Sequence, residues 1–166
     1  MHALKLTLAV LMAAGLAACA TQGAMTVIDV SATGASLPKY RSAVAVRSVS
    51  GGQVMSILTV PGVSDEPFKA ALESSLEAKG YLAKSGTPKF YVDAEIQNLD
   101  QPLMGLTMDV TASVTYKVSG ATAATYPISA TASASVSDSV LGADRMRIAN
   151  ERAMQQNIRM FLLALR

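Results

Sequence analysis

Met108-Asp109-Val110-Thr111-Ala112-Ser113-Val114-Thr115-Tyr116-Lys117-Val118 is the stretch that decides the fold. Apolar side chains fill every even position, and Asp, Thr, Ser or Lys every odd one. Successive side chains of a strand point to opposite faces, so a strict period of two describes a strand with one face in a core and one in water. On the N-terminal side, Phe90, Val92, Ala94 and Ile96 alternate with Tyr91, Asp93, Glu95 and Gln97. On the C-terminal side, Tyr126, Ile128, Ala130, Ala132, Ala134 and Val136 alternate mostly with Ser and Thr. Gly120 and the small residues after it supply a turn. Three strands joined by short connections form an antiparallel sheet.

Further upstream, Ala43 to Val49 is rich in β-branched and apolar residues and is expected to be a first strand. Gly51-Gly52 punctuates it, and Gln53 to Val60 is expected to form a second strand, the two pairing as a hairpin. A phosphate-cradling loop would need a lysine after the glycines, and none follows. Ser64-Asp65-Glu66-Pro67 opens a helix: Ser64 or Asp65 can cap free amides, the acids favour the positive end of the dipole, and proline fits the first turn. Phe68, Ala71, Leu72 and Leu76 then form one apolar stripe, and Gly80 ends the helix as a left-handed cap. Glu73 and Glu77 fall on the solvated side, where Lys69 and Lys79 are expected to pair with them. The last element, from about Ala143 to Leu165, has Asp144 as its cap and a stripe of Met146, Ala149, Ala153, Ile158, Phe161, Leu162 and Leu165. Its final run, Met160 to Leu165, is apolar almost all round, so either both sides are buried or one side meets a partner.

The order β-β-α-β-β-β-α predicts an α+β domain of two layers, a mainly antiparallel sheet with both helices on one face. Between the first and second alternating runs stands Asp100-Gln101-Pro102-Leu103-Met104-Gly105-Leu106. Connections usually run over the surface, so Leu103, Met104 and Leu106 there have two readings. They fold back over the edge of the core, or they form an exposed apolar tip that touches a membrane, a lipid or a protein.

The amino-terminal residues have the three parts of a secretory signal: Lys5 and the amino terminus, an apolar run from Leu6 to Leu16, and the small residues Ala17-Ala18. A run of about a dozen residues is too short to span a bilayer, which takes roughly 20, so an uncleaved membrane segment fits poorly. Leu16-Ala17-Ala18-Cys19 resembles the lipobox of bacterial lipoproteins. The resemblance implies cleavage before Cys19, acylation of that cysteine and permanent anchoring, because several acyl chains hold where one does not. It also implies the outer membrane of a two-membrane bacterium, with the domain facing the periplasm, since Ala20 stands where an inner-membrane lipoprotein tends to carry aspartate. The expected organisation is therefore a signal over 1–18, an acylated cysteine and tether over 19–38, and a single domain over 39–166.

Composition excludes several kinds of chemistry. The only histidine is His2 and the only cysteine is Cys19, so the domain has no imidazole and no free thiol. Serine–histidine and cysteine–histidine pairs, the usual zinc sites and disulfides are thereby removed, and no metal or other cofactor is expected. The formal charge of +2, which drops to +1 when Lys5 leaves, gives no electrostatic footprint for nucleic acid. Two charged groups remain as candidates. Asp93 and Glu95 share one strand face, where a buried pair could do acid–base work and a solvated pair does none. Arg145, Arg147 and Arg152 could grip an anionic headgroup or form exposed ion pairs with Asp138, Asp144 and Glu151.

The lipobox, the helix ending in Gly80-Tyr81, the long alternating strands and the closing helix together resemble small envelope lipoproteins of the YajG kind, and more loosely the lipopolysaccharide-assembly lipoprotein LptE. By pattern alone, this implies fold and location and carries over no functional residues beyond the lipobox. The expected function is that of a non-enzymatic, lipid-anchored envelope protein that binds another envelope component in assembly or maintenance. The alternative is a carrier with an apolar cavity for a lipid or glycolipid.

Overall fold

The computed structural model describes residues 25–53 and 62–165. Residues 16–19 and 54–60, which bear the lipobox and most of the expected second strand, lie outside the described residues. Within them run β1 (Val44–Ser50), α1 (Asp65–Ala78), β2 (Phe90–Asp100), β3 (Met108–Gly120), β4 (Ala124–Ala134) and α2 (Gly142–Ala164), preceded by two short 3-10 turns. The result is an α+β fold of one four-stranded sheet, in the order β1-β2-β3-β4, and two helices.

The alternating runs behave as their period requires. The even residues of β2 from Phe90 to Ile96 and of β3 from Met108 to Val118 are buried in one core with the stripes of both helices. β2–β3 and β3–β4 pair antiparallel, as short connections dictate. β1 pairs parallel with β2, which makes the sheet mixed. The chain between them passes through α1, and such a crossover returns the next strand in the same direction. β4 begins and ends two residues earlier than its sequence pattern, so Val136 is half-exposed beyond the strand end. Pro127 is tolerated within it because β4 is an edge strand.

Helix α1 buries Phe68, Ala71, Leu72 and Leu76 completely, each large side chain contributing about 1.5–3 kcal/mol. Gly80 follows at φ 76°, and the Tyr81 and Leu82 amides return to the Leu76 carbonyl, closing the C-terminal cap. The N-terminal cap differs from expectation. Ser64 makes no side-chain hydrogen bond to the helix, and Asp65 Oδ1 instead accepts the Gly52 amide at 2.7 Å. Gly51 and Gly52 are therefore a close approach, not a phosphate loop: a Cβ on Gly51, at φ 86°, would lie 2.1 Å from the Ile96 carbonyl oxygen.

Two lysine and tether expectations also give way. Lys79 does not pair with a helical glutamate; it is buried and donates to the Thr33 carbonyl at 3.2 Å and to the Gly34 carbonyl. Burial lowers its pKa. Glu77 pairs instead with Lys84. The stretch from Met25 to Pro38, expected as part of a tether, packs on the domain: Met25 and Val27 are core residues, and the Val27 amide donates to the buried Ser75 Oγ at 2.8 Å. Thr26 and Thr33 are buried with it, and Val30 and Leu37 pack against the core, which a free tether would not achieve.

Helix α2 lies across β3 and β4, and its position is fixed by Asn157. The Tyr116 hydroxyl donates to Asn157 Oδ1 at 2.8 Å, and Asn157 Nδ2 donates to the Ala112 and Ile128 carbonyls at 2.8 and 3.0 Å. One turn further on, Phe161 stacks on Tyr116 at 4.0 Å between centroids and takes the edge of Tyr126. Burial raises the Tyr116 pKa well above its ordinary value, so it remains a donor. The C-terminal apolar run is mostly interior: Phe161, Leu162 and Leu165 are buried, and Leu163 alone is half-exposed. Replacing Tyr116 with Phe leaves Asn157 Oδ1 buried without its donor and is expected to cost about 1–3 kcal/mol, read as a lower urea midpoint. An unchanged midpoint would show that the pair does not hold the helix.

Candidate functional site

The paired carboxylates do not converge. A bulge in β1 between Val46 and Ser48 sets Arg47 and Ser48 side by side opposite Asp93. Arg47 binds both Asp93 oxygens, through Nε at 2.9 Å and through Nη2, while Ser48 Oγ donates at 2.7 Å. The Arg47 guanidinium thus holds the Asp93 carboxyl below its usual range. Glu95 faces Lys117 at 3.5 Å on the same open sheet face. Each acid has its own cation, and neither is aimed into a cleft. The rest of that face is a ladder of hydroxyls, with Thr111 against Thr131 at 2.8 Å and Ser113 against Ser129 at 3.1 Å.

The arginines also separate. Arg147 pairs with Glu151 at 2.9 Å one turn along the helix. Arg152 donates to Asp138 at 2.6 Å and to the Ser133 carbonyl at 2.9 Å, and its hydrogen bond pulls the Asp138 pKa down to about 2. No group of His, Cys, Asp and Glu among the described residues can hold a metal ion. No helix among them is long and apolar enough to cross a membrane.

Arg145 is different, and it organises the most distinctive surface of the molecule. It lies only 7% exposed at the start of α2. Nη1 donates to the Ser139 and Val140 carbonyls, both at 3.0 Å, and Nη2 to the Gly105 carbonyl at 3.1 Å. Neighbouring nitrogens of one guanidinium thus bind two loops far apart in the chain, so the β2–β3 connection and the β4–α2 connection lie side by side. Their apolar side chains face water: Leu103 is 92% exposed, Met104 84%, Leu106 76%, Val140 84% and Leu141 62%. Of the two readings open for the β2–β3 connection, the exposed tip is the one observed.

Leu103, Met104 and Leu106 are therefore brought together with two residues that the sequence reading missed. Val140-Leu141 stood as an apolar pair just ahead of a helix, which is a weak signal alone. Their joining to the tip is a tertiary event that no local pattern encodes. Isolated surface leucines are ordinary; five large apolar side chains gathered beside one another are not.

Neither of two hollows elsewhere has the form of a lipid chamber. One beside Gly51, Ile96 and Met154 has room for about 20 Å³, and a shallow depression over Gln97, Ser113, Pro127 and Ser129 for about 230 Å³. The second is open to solvent, unlike an acyl-chain cavity.

Because Arg145 supplies charged donors to three carbonyls, Arg145→Met is expected to lower stability by about 3 kcal/mol and to expose the bonds from 102 to 107 to limited proteolysis. Equal cleavage of variant and parent would show that the guanidinium does not hold the loops.

The chain matches no family model, and no curated protein matches it in sequence. A solved structure does share its fold. A Xanthomonas campestris protein of family DUF330 superposes with a TM-score of 0.54 at 10% identity, over 75% of this chain and 85% of its own. A Caulobacter crescentus protein provisionally described as a lipoprotein gives 0.49 at 9% identity, over 75% of this chain and 88% of its own. A Chlamydia trachomatis protein gives 0.48 at 16% identity, over 72% and 95%. At 10% identity the first of these likenesses shows the fold alone.

Proposed function

We propose that this is a non-enzymatic, lipid-anchored envelope protein that binds another envelope component through its apolar end, in assembly or maintenance of the envelope. The observation that carries the reading is the cluster of Leu103, Met104, Leu106, Val140 and Leu141, exposed together and held by a buried arginine. An anchor on Cys19, following Leu16-Ala17-Ala18, supports it from the sequence side, with the outer membrane as the site and the periplasm as the compartment the domain faces. The separate ion pairs of Asp93 and Glu95 weigh against acid–base catalysis. The small or open form of the two hollows weighs against the carrier reading.

The test is native mass spectrometry of the full chain, gently extracted from its own membranes. The parent is expected to carry a defined companion, protein or lipid, and Leu103→Ser with Met104→Ser to lose at least ten-fold of it while keeping the same unfolding midpoint. Full retention of the companion by the variant would remove the apolar end from the function.

A further inference from the structure

We propose that the occupant of the apolar end is bilayer lipid: Leu103, Met104, Leu106, Val140 and Leu141 enter the same leaflet that receives the acyl chains on Cys19, and so stand the domain upright on the membrane. The proposal rests on the acylated-cysteine reading and deepens the binding role given to this end.

Three observations carry it. The first is the chemistry of the surface. Its five side chains are aliphatic or thioether, with no aromatic ring and no charge among them, whereas the residues that dominate protein–protein binding are Trp, Tyr and Arg.

The second is the state of the backbone beneath them. A loop that enters an apolar medium must have its polar groups satisfied from within. Here the carbonyls of Gly105, Ser139 and Val140 are bound at 3.0–3.1 Å by the buried Arg145 guanidinium, which turns them inward from the surface.

The third is the course of the chain. The Thr26 carbonyl accepts from Gln155 Nε2 at 2.8 Å, and Gly34 lies against Leu163. From Thr26 to Gly34 the chain therefore advances along α2 in the helix's own direction. Of this described stretch, the Thr26 end is the one nearer the start of α2, where the apolar end is. Gln155 is thirteen residues beyond Gly142, or about 20 Å along the helix. Cys19 is seven residues before Thr26, and seven residues reach up to about 23 Å. The anchor and the apolar end can share one plane with little slack. In that posture the open hydroxyl face of the sheet stands clear of the lipid.

Cys19 is the only cysteine in the chain, so acylation would leave an introduced thiol as the sole site for a probe. The full chain with Met104→Cys, and separately with Ser129→Cys on the open sheet face, is labelled with an environment-sensitive nitrobenzoxadiazole group. Each is reconstituted into vesicles of phosphatidylethanolamine and phosphatidylglycerol containing a lipid spin-labelled near the headgroup. The Met104 probe is expected to shift to the blue and to be quenched at least three-fold more than the Ser129 probe. Equal, water-like signals from both, with the protein floating on the vesicles, overturn the lipid proposal and leave a protein companion as the occupant of this end. Labelling of Cys19 in the parent chain shows a free thiol and overturns the anchor reading together with the proposal.

Discussion

The structure depends on the contact between Tyr116 and Asn157. One fully buried amide takes a phenol proton from β3 and gives its own protons to carbonyls of β3 and β4. A buried polar pair is costly unless every partner is present, and here each is. That requirement specifies one docking of α2 on the sheet, whereas the apolar stripe around it would accept several. The alanines of β4 let the helix come close, and Phe161 stacks on the same tyrosine one turn later. Once α2 is set, its first turn must lie at the end of the sheet where β2 turns into β3. Arg145 then reaches both neighbouring loops. The apolar surface is thus a remote consequence of the Tyr116–Asn157 lock.

The sheet's two faces divide structural from solvent-facing roles. The inner face is apolar and closed by both helices, and the outer face pairs each charge locally, as with Arg47 and Asp93 or Lys117 and Glu95. Exposed pairs of this kind contribute little to stability and leave no carboxylate poised for proton transfer. What the surface offers beyond this is apolar area, with five of its large exposed side chains gathered beside the first turn of α2. A domain anchored as proposed, with an apolar end, would have a preferred orientation, and that orientation would decide which of its faces a partner reaches.

Much of the fold was legible in the sequence because it is written as periodicity. Met108 to Val118 could only be a half-buried strand, and Phe68 to Gly80 carried both its stripe and its stop. The features that escaped are those fixed by distant contacts. The extra residue of the β1 bulge leaves no trace in a pattern of Val, Arg and Ser, yet it decides how Asp93 is held. Lys79 looked like a solvated charge at a helix end, and it is buried because two carbonyls 45 and 46 residues away need a donor. At the candidate site the tip residues were visible, while Val140, Leu141 and the role of Arg145 were not. Their meaning arises only when two connections from opposite sides of β3–β4 are brought together.

Amide hydrogen exchange, followed in the protein's own membranes and again after transfer to detergent-free solution as the unanchored domain, tests the central claim most directly. If the apolar end meets lipid, amides of 103–106 and 139–141 exchange at least ten-fold more slowly in the membrane, while those of the open face, such as Ser129 and Thr131, exchange equally in both. Equal exchange of the two loops in both settings, or protection confined to the open face, would contradict the account.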